Sequence, residues 1–112
     1  MQLHFYESSS GKNLIYEYLD SLPTKEQIDG YSVLQHLEDN EMEQINFKRW
    51  EKKIYEVYFY KHNRIFYITV GRSDVYLLHA CKKQKNKTEK QDSKIIKKRA
   101  KELGKILGKN FV

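Results

Sequence analysis

Ile54-Tyr55-Glu56-Val57-Tyr58-Phe59-Tyr60, Arg64-Ile65-Phe66-Tyr67-Ile68-Thr69-Val70 and Val75-Tyr76-Leu77-Leu78-His79-Ala80-Cys81 are aromatic and β-branched runs separated by only three and four residues. Such side chains fit a pleated, half-buried surface, and connections this short join antiparallel neighbours. The stretch therefore predicts an antiparallel three-stranded meander, turning at Lys61-His62-Asn63 and at Gly71-Arg72-Ser73-Asp74. Alternation sorts the first strand into a polar-tipped side, Glu56, Tyr58 and Tyr60, and a greasy side, Tyr55, Val57 and Phe59. The first side is expected to face a site or solvent. The middle strand is apolar on both sides, so both faces of the sheet need cover.

That cover is available on either side of the meander. Leu3 and Phe5 alternate with His4 and Tyr6, which reads as a short N-terminal strand before the Ser8-Ser9-Ser10-Gly11 link. Ile15, Tyr18, Leu19 and Leu22 then recur at helical spacing until Pro23 stops the helix. Thr24-Lys25-Glu26-Gln27 matches a capping box, predicting a second helix whose apolar side is Ile28, Tyr31, Leu34 and Leu37. After the meander, Ile96, Ala100, Leu103 and Leu107 mark a C-terminal helix with Lys94, Lys97, Lys98, Lys101 and Lys105 toward water. The predicted class is α+β.

At 112 residues the chain suits one domain spanning 1–112, with a single modest core. Its 39% hydrophobic content and fourteen Phe and Tyr residues exclude a wholly disordered chain. No apolar run approaches the roughly 20 residues needed to cross a bilayer. Met1-Gln2-Leu3-His4 also lacks the charged and apolar regions of a secretion signal, so a soluble, cytoplasmic protein is expected. A lone Cys81 excludes an intramolecular disulfide and reads as a small buried hydrophobe.

Charge is distributed unevenly. Residues 1–81 hold nine Lys/Arg against twelve Asp/Glu, whereas residues 82–109 hold twelve against three, a local balance of +9. Such a segment attracts polyanions and binds phosphates by releasing their counterions. Lys82, Lys83, Lys85, Lys87 and Lys90 follow directly on the last strand, where cations are fixed at strand ends.

RNA cleavage by its own 2′-hydroxyl needs a base for that hydroxyl, charge stabilisation at phosphorus and an acid for the leaving 5′-oxygen. Arg64 and Lys83 suit the phosphate, since Arg grips it bidentately and Lys acts as a point charge. Glu56 or Tyr58 would be the base, and Lys82, Lys83 or His79 the acid. His4, His36, His62 and His79 show no metal-ligand spacing, so neither a metal nor a cofactor is expected. There is no phosphate-binding glycine loop and no nucleophile elbow.

These residues, in this order, resemble the RelE/HigB superfamily of type II toxins, most closely the phage-derived HigB-like branch. The resemblance spans nearly the whole chain and is most specific over residues 54–99. Glu56, Arg64, Tyr67, the Leu77-Leu78-His79 run, Lys82, Lys83, Lys87 and Thr88 match that branch. Tyr58 stands where it commonly has Arg, Cys81 where it has Phe, and Glu89 where it has Pro. The resemblance implies a RelE-like compact domain and a ribosome-dependent, metal-independent mRNA endoribonuclease, neutralised by a HigA-like helix-turn-helix antitoxin. By position it implies Arg64 and Lys83 as the phosphate-gripping basic residues and Glu56 and Tyr58 as the catalytic strand; with Lys82 and His79, the acid candidates named above, these form the expected catalytic set. Lys85, Lys87, Lys94, Lys98 and Arg99 are the expected RNA contacts. A non-catalytic inhibitor of the same fold, of the gyrase-targeting kind, and a plain basic nucleic-acid-binding module are the alternatives.

Overall fold

A computed structural model describes residues 1–83 and 88–112. The elements are β1 (Gln2–Phe5), α1 (Leu14–Asp20), α2 (Thr24–Glu38), a 3-10 turn at Met42–Gln44, β2 (Asn46–Glu51), β3 (Ile54–Phe59), β4 (Asn63–Val70), β5 (Asp74–Lys82) and α3 (Lys90–Leu107). The class is α+β, as expected. The meander is present as β3, β4 and β5, but it is the centre of a five-stranded sheet ordered β1-β5-β4-β3-β2. β1 lies parallel to β5, and β2 pairs antiparallel with β3.

β2 is an element that hydrophobic periodicity did not reveal. It is an edge strand exposed over almost its whole length, and Lys48, Arg49 and Glu51 blunt its open side. An edge strand needs no apolar alternation to be held, because its backbone pairing to β3 suffices.

The sheet separates two cores. On one face Ile15 and Leu19 of α1 and Val33, Leu34 and Leu37 of α2 pack against Val57, Phe59, Ile65, Tyr67, Val75 and Leu77. On the other, Ile96 and Ala100 of α3, with Phe111 beyond it, cover Ile54, Phe66, Ile68, Leu78 and Cys81. Of the greasy side, Val57 and Phe59 are buried and Tyr55 is partly buried against the same core. The opposite side differs from expectation: Ile54 and Glu56 are buried under the α3 layer, and Tyr60 has left the strand for a turn with φ 46°.

Two details of α2 also differ. Pro23 occupies the cap position in an extended conformation and Thr24 is already helical, so no capping box forms. The Gln27 amide N–H donates instead to the Pro23 carbonyl, and its side chain donates to Asp20. The buried face is Gly30, Val33, Leu34 and Leu37, while Ile28 is 63% exposed and Tyr31 is partly exposed. Gly30 sets this rotation: a Cβ there would lie 2.5 Å from Leu19 Cδ2, so only glycine lets the helix approach so closely.

The pairing of β4 with β5 contains a bulge. Phe66 faces His79 but Tyr67 faces Leu77, which leaves Leu78 as the extra residue. An unbroken ladder would turn 79, 81 and 83 toward α1 and α2. The bulge turns them toward α3, the face that carries Glu56 and Arg64.

Candidate functional site

Glu56, in the middle of β3, has no exposed surface. Its Oε1 accepts a hydrogen bond from Lys83 Nζ at 3.4 Å and lies 3.5 Å from Arg64 Nε and 3.9 Å from Lys48 Nζ. Arg64 Nε is close enough to feel the carboxylate charge but is not aligned to bond it. Each cation comes from a different strand or its end: Lys48 opposite Glu56 on β2, Arg64 on β4, and Lys83 just past β5. Three cations surround one carboxylate, so the cluster keeps a positive excess that an anion can neutralise. Glu56 Oε2, meanwhile, has no bonding partner among the described residues.

Arg64 is held by more than charge. Its Nη1 donates to the carbonyls of Lys61 and Asn63 at 3.1 and 3.0 Å, and the guanidinium lies over the Tyr58 ring at 5.0 Å. The carbonyls lie in the turn joining β3 to β4 and at the first residue of β4; in that turn Tyr60 and Lys61 adopt positive φ, a conformation costly for residues with a Cβ. The same turn positions Lys83, whose backbone N–H donates to the His62 carbonyl at 2.7 Å. Buried Asn63 anchors it from below, accepting from the Tyr18 hydroxyl at 2.6 Å and donating to Glu26 at 2.8 Å. Burial pushes the Tyr18 hydroxyl pKa well above the usual tyrosine range, so it remains a donor.

The other expected residues are placed elsewhere. Lys82 points to the opposite side from Lys83, toward Glu26 at 4.0 Å, because neighbours on a strand alternate. His79 is separated from Glu56 by Phe66 in the same cross-strand row. Its Nε2 bonds Asp92 at 2.8 Å, and Arg99 Nη1 approaches its Nδ1 at 3.4 Å. Arginine can only donate, so Nδ1 is the acceptor and the ring proton sits on Nε2, facing Asp92. Burial lowers the His79 pKa, against the opposing pull of Asp92, which keeps the ring neutral. Arg99, one of the expected RNA contacts, is turned inward, donating to the Leu78 carbonyl and lying 4.2 Å over the Tyr6 ring. Lys94 and Lys98 are exposed on α3, as expected. Lys85 and Lys87 lie outside the described residues.

Spacing along the chain showed no metal-binding group, yet the fold brings ligand atoms of His79, Cys81 and Asp92 within 4.8 Å of one another. Nε2 is committed to Asp92, and burial pushes the Cys81 thiol up to about 12, so it stays protonated at neutral pH. Lys48, Asn63 and Asp92 were missed by sequence reasoning. Lys48 lies in the unread edge strand, and the others act through partners distant in the chain.

The match to a family model covers residues 17–101, which includes α2, the meander, the ionic cluster and most of α3. The chain belongs to the family described as phage derived protein Gp49-like (DUF891). Gp49-like proteins are a toxin-like family of the RelE/Gp49 type. A comparison with curated proteins gives no match.

Proposed function

We propose that this Gp49-like protein is the toxin of a type II toxin-antitoxin pair and cleaves mRNA on the ribosome, halting translation. The observation that supports it most is Glu56: a buried carboxylate ringed by Lys48, Arg64 and Lys83, with one oxygen that has no bonding partner among the described residues. In this reading Glu56 Oε2 takes the proton of the attacking 2′-hydroxyl. The 2′-oxygen bonds to phosphorus, and the developing charge rests against Arg64 and Lys83. The P–O5′ bond breaks as the leaving oxygen is protonated, giving a 2′,3′-cyclic phosphate and a 5′-hydroxyl. Lys83 is the acid candidate that shares the cluster, Lys82 and His79 being turned away. Tyr58 steadies Arg64 from its ring face.

The basic α3 surface, with Lys94 and Lys98, supports binding to ribosomal and messenger RNA. A lethal toxin needs a silencing partner, here a HigA-like helix-turn-helix antitoxin, for which the exposed Tyr16, Ile28 and Tyr31 offer an apolar docking patch. Ribosomal action would place the protein in the cytoplasm. Among the described residues no helix is long and apolar enough to cross a membrane.

Induced expression tests the reading. Growth should stop, primer extension should show cuts inside translated messages, and Arg64→Ala should relieve both. Intact messages during arrest would reject cleavage, and arrested DNA replication would then assign the protein to the gyrase-targeting kind.

A further inference from the structure

Between β2 and the start of α3 lies a cleft of about 410 Å³, lined by Lys48, Trp50, Glu56, Lys83, Thr88 and Ser93 among others. Two buried oxygens on its wall have no bonding partner among the described residues, Glu56 Oε2 and Thr88 Oγ1. A carboxylate oxygen can only accept, so Glu56 calls for a ligand that brings a hydroxyl or amine donor. Lys48 and Lys83 on the same wall call for an anion. A pentose 3′-phosphate with a free 2′-hydroxyl carries both groups on adjacent carbons.

A bulge in β2 completes the wall. Arg49 pairs with Tyr55 and Glu51 with Ile54, which leaves Trp50 between them as the extra residue, packed edge-on against Phe66. Trp50 is thereby fixed on the side of the cluster, where an aromatic ring can meet a base. Glu51, turned to the same side, pairs with Lys97 at 3.3 Å, and Lys97 approaches the Trp50 ring.

We propose that this cleft binds the ribonucleotide on the 5′ side of the scissile bond. Its 2′-hydroxyl meets Glu56 Oε2, its 3′-phosphate meets Lys48 and Lys83, and its base lies against Trp50. The inference rests on the reading of the cluster as an RNA-cleaving site. Oε2 has almost no open surface, so the nucleotide must draw a neighbour away from it. Lys48 is the cation able to move: its side chain is 58% exposed, and at 3.9 Å it is the most distant of the three from the carboxylate.

Trp50 is the only tryptophan, so its fluorescence reports on this cleft alone. Adenosine 3′-monophosphate titrated into the full chain should give a saturable change in emission. The 2′-deoxy analogue should bind about 10-fold more weakly, the usual scale for one hydrogen bond to a charged group. Lys48→Ala should weaken binding by a similar factor, and Lys101→Ala, on α3 away from the cleft, should not. Silent Trp50 emission at millimolar nucleotide, or equal losses from Lys48→Ala and Lys101→Ala, would overturn the proposal. Equal affinity for the deoxy analogue would remove Glu56 from it. RNA cleavage with a silent Trp50 would reject the cleft and leave the cleavage reading intact, whereas nucleotide binding without cleavage would do the reverse.

Discussion

Two polar clusters share the α3 face of the sheet, one centred on Glu56 and the other on His79, and they differ in how completely each satisfies itself. His79 is bonded on both sides, by Asp92 and by Arg99, with its proton fixed between neutral ring and carboxylate. Glu56 is flanked by three cations, has one oxygen without a bonding partner among the described residues, and borders a cleft. A cluster whose donors and acceptors are all matched holds a fold together. A cluster with excess charge and an unmatched acceptor is the better candidate for binding something outside the chain. Closeness in sequence pointed the other way, since His79 stands only four residues from Lys83 while Glu56 is twenty-seven away.

Removing the central anion is the largest way to test that contrast. Glu56→Gln keeps an oxygen for Lys83 but leaves buried Lys83 and Arg64 facing a neutral group. It should cost about 3 kcal/mol in urea unfolding, the lower end for a broken buried pair. Asp92→Asn still accepts from His79 and should cost about 1 kcal/mol. Equal costs would mean that the two clusters are both structural.

Activity should divide them by a similar energy. Lys83→Ala and Arg64→Ala should lower the RNA cleavage rate about 100-fold, the scale for one lost transition-state contact. His79→Gln should stay within about threefold of the native rate when corrected for folded protein. A loss at His79 as deep as that at Lys83 would move the acid–base chemistry to the second cluster.

Asn63 sharpens the comparison at an intermediate scale. Asn63→Ala frees the turn whose carbonyls hold Arg64, and a misplaced group of this kind should cost about 10-fold in rate. The loss should shrink in an Arg64→Ala background, because the two share the contact to the turn, leaving only the part that acts through Lys83. Fully additive losses would show that Asn63 serves stability alone.

The smallest effect concerns pH. Burial holds the His79 pKa below its ordinary value of 6.5, so unfolding takes up a proton as pH falls below that value. The stability that His79 contributes is complete above about pH 6.5 and declines toward the lower folded pKa. Urea midpoints at pH 7.5 and 5.5 should therefore differ less in His79→Gln than in the native chain. An unchanged difference would assign the acid sensitivity to other groups.

The chain's own pattern determined the elements with strong periodicity. Dense β-branched and aromatic runs with short turns specify β3, β4 and β5, and Pro23 and the spacing of Ile96, Ala100, Leu103 and Leu107 bound the helices. Composition likewise marked the basic final quarter. Local pattern failed where burial on one side was absent, as in β2, or where a close approach overrode apolar spacing, as at Gly30 of α2.

The site was half legible. Glu56, Tyr58, Arg64 and Lys83 were nameable from residue type, but their assembly depends on one extra residue, Leu78. Alternation along β5 fixes only that His79, Cys81 and Lys83 agree with one another in side. Which side they take is set by the bulge against β4, a pairing between strands that carries no signal within either. Lys48 joins through β2, Asn63 is locked by Tyr18 and Glu26 from 45 and 37 residues away, and Lys82 is turned off the site by simple alternation. Residue chemistry is written in the chain, but the meeting of one carboxylate with three cations is a property of strand register, which only the folded sheet decides.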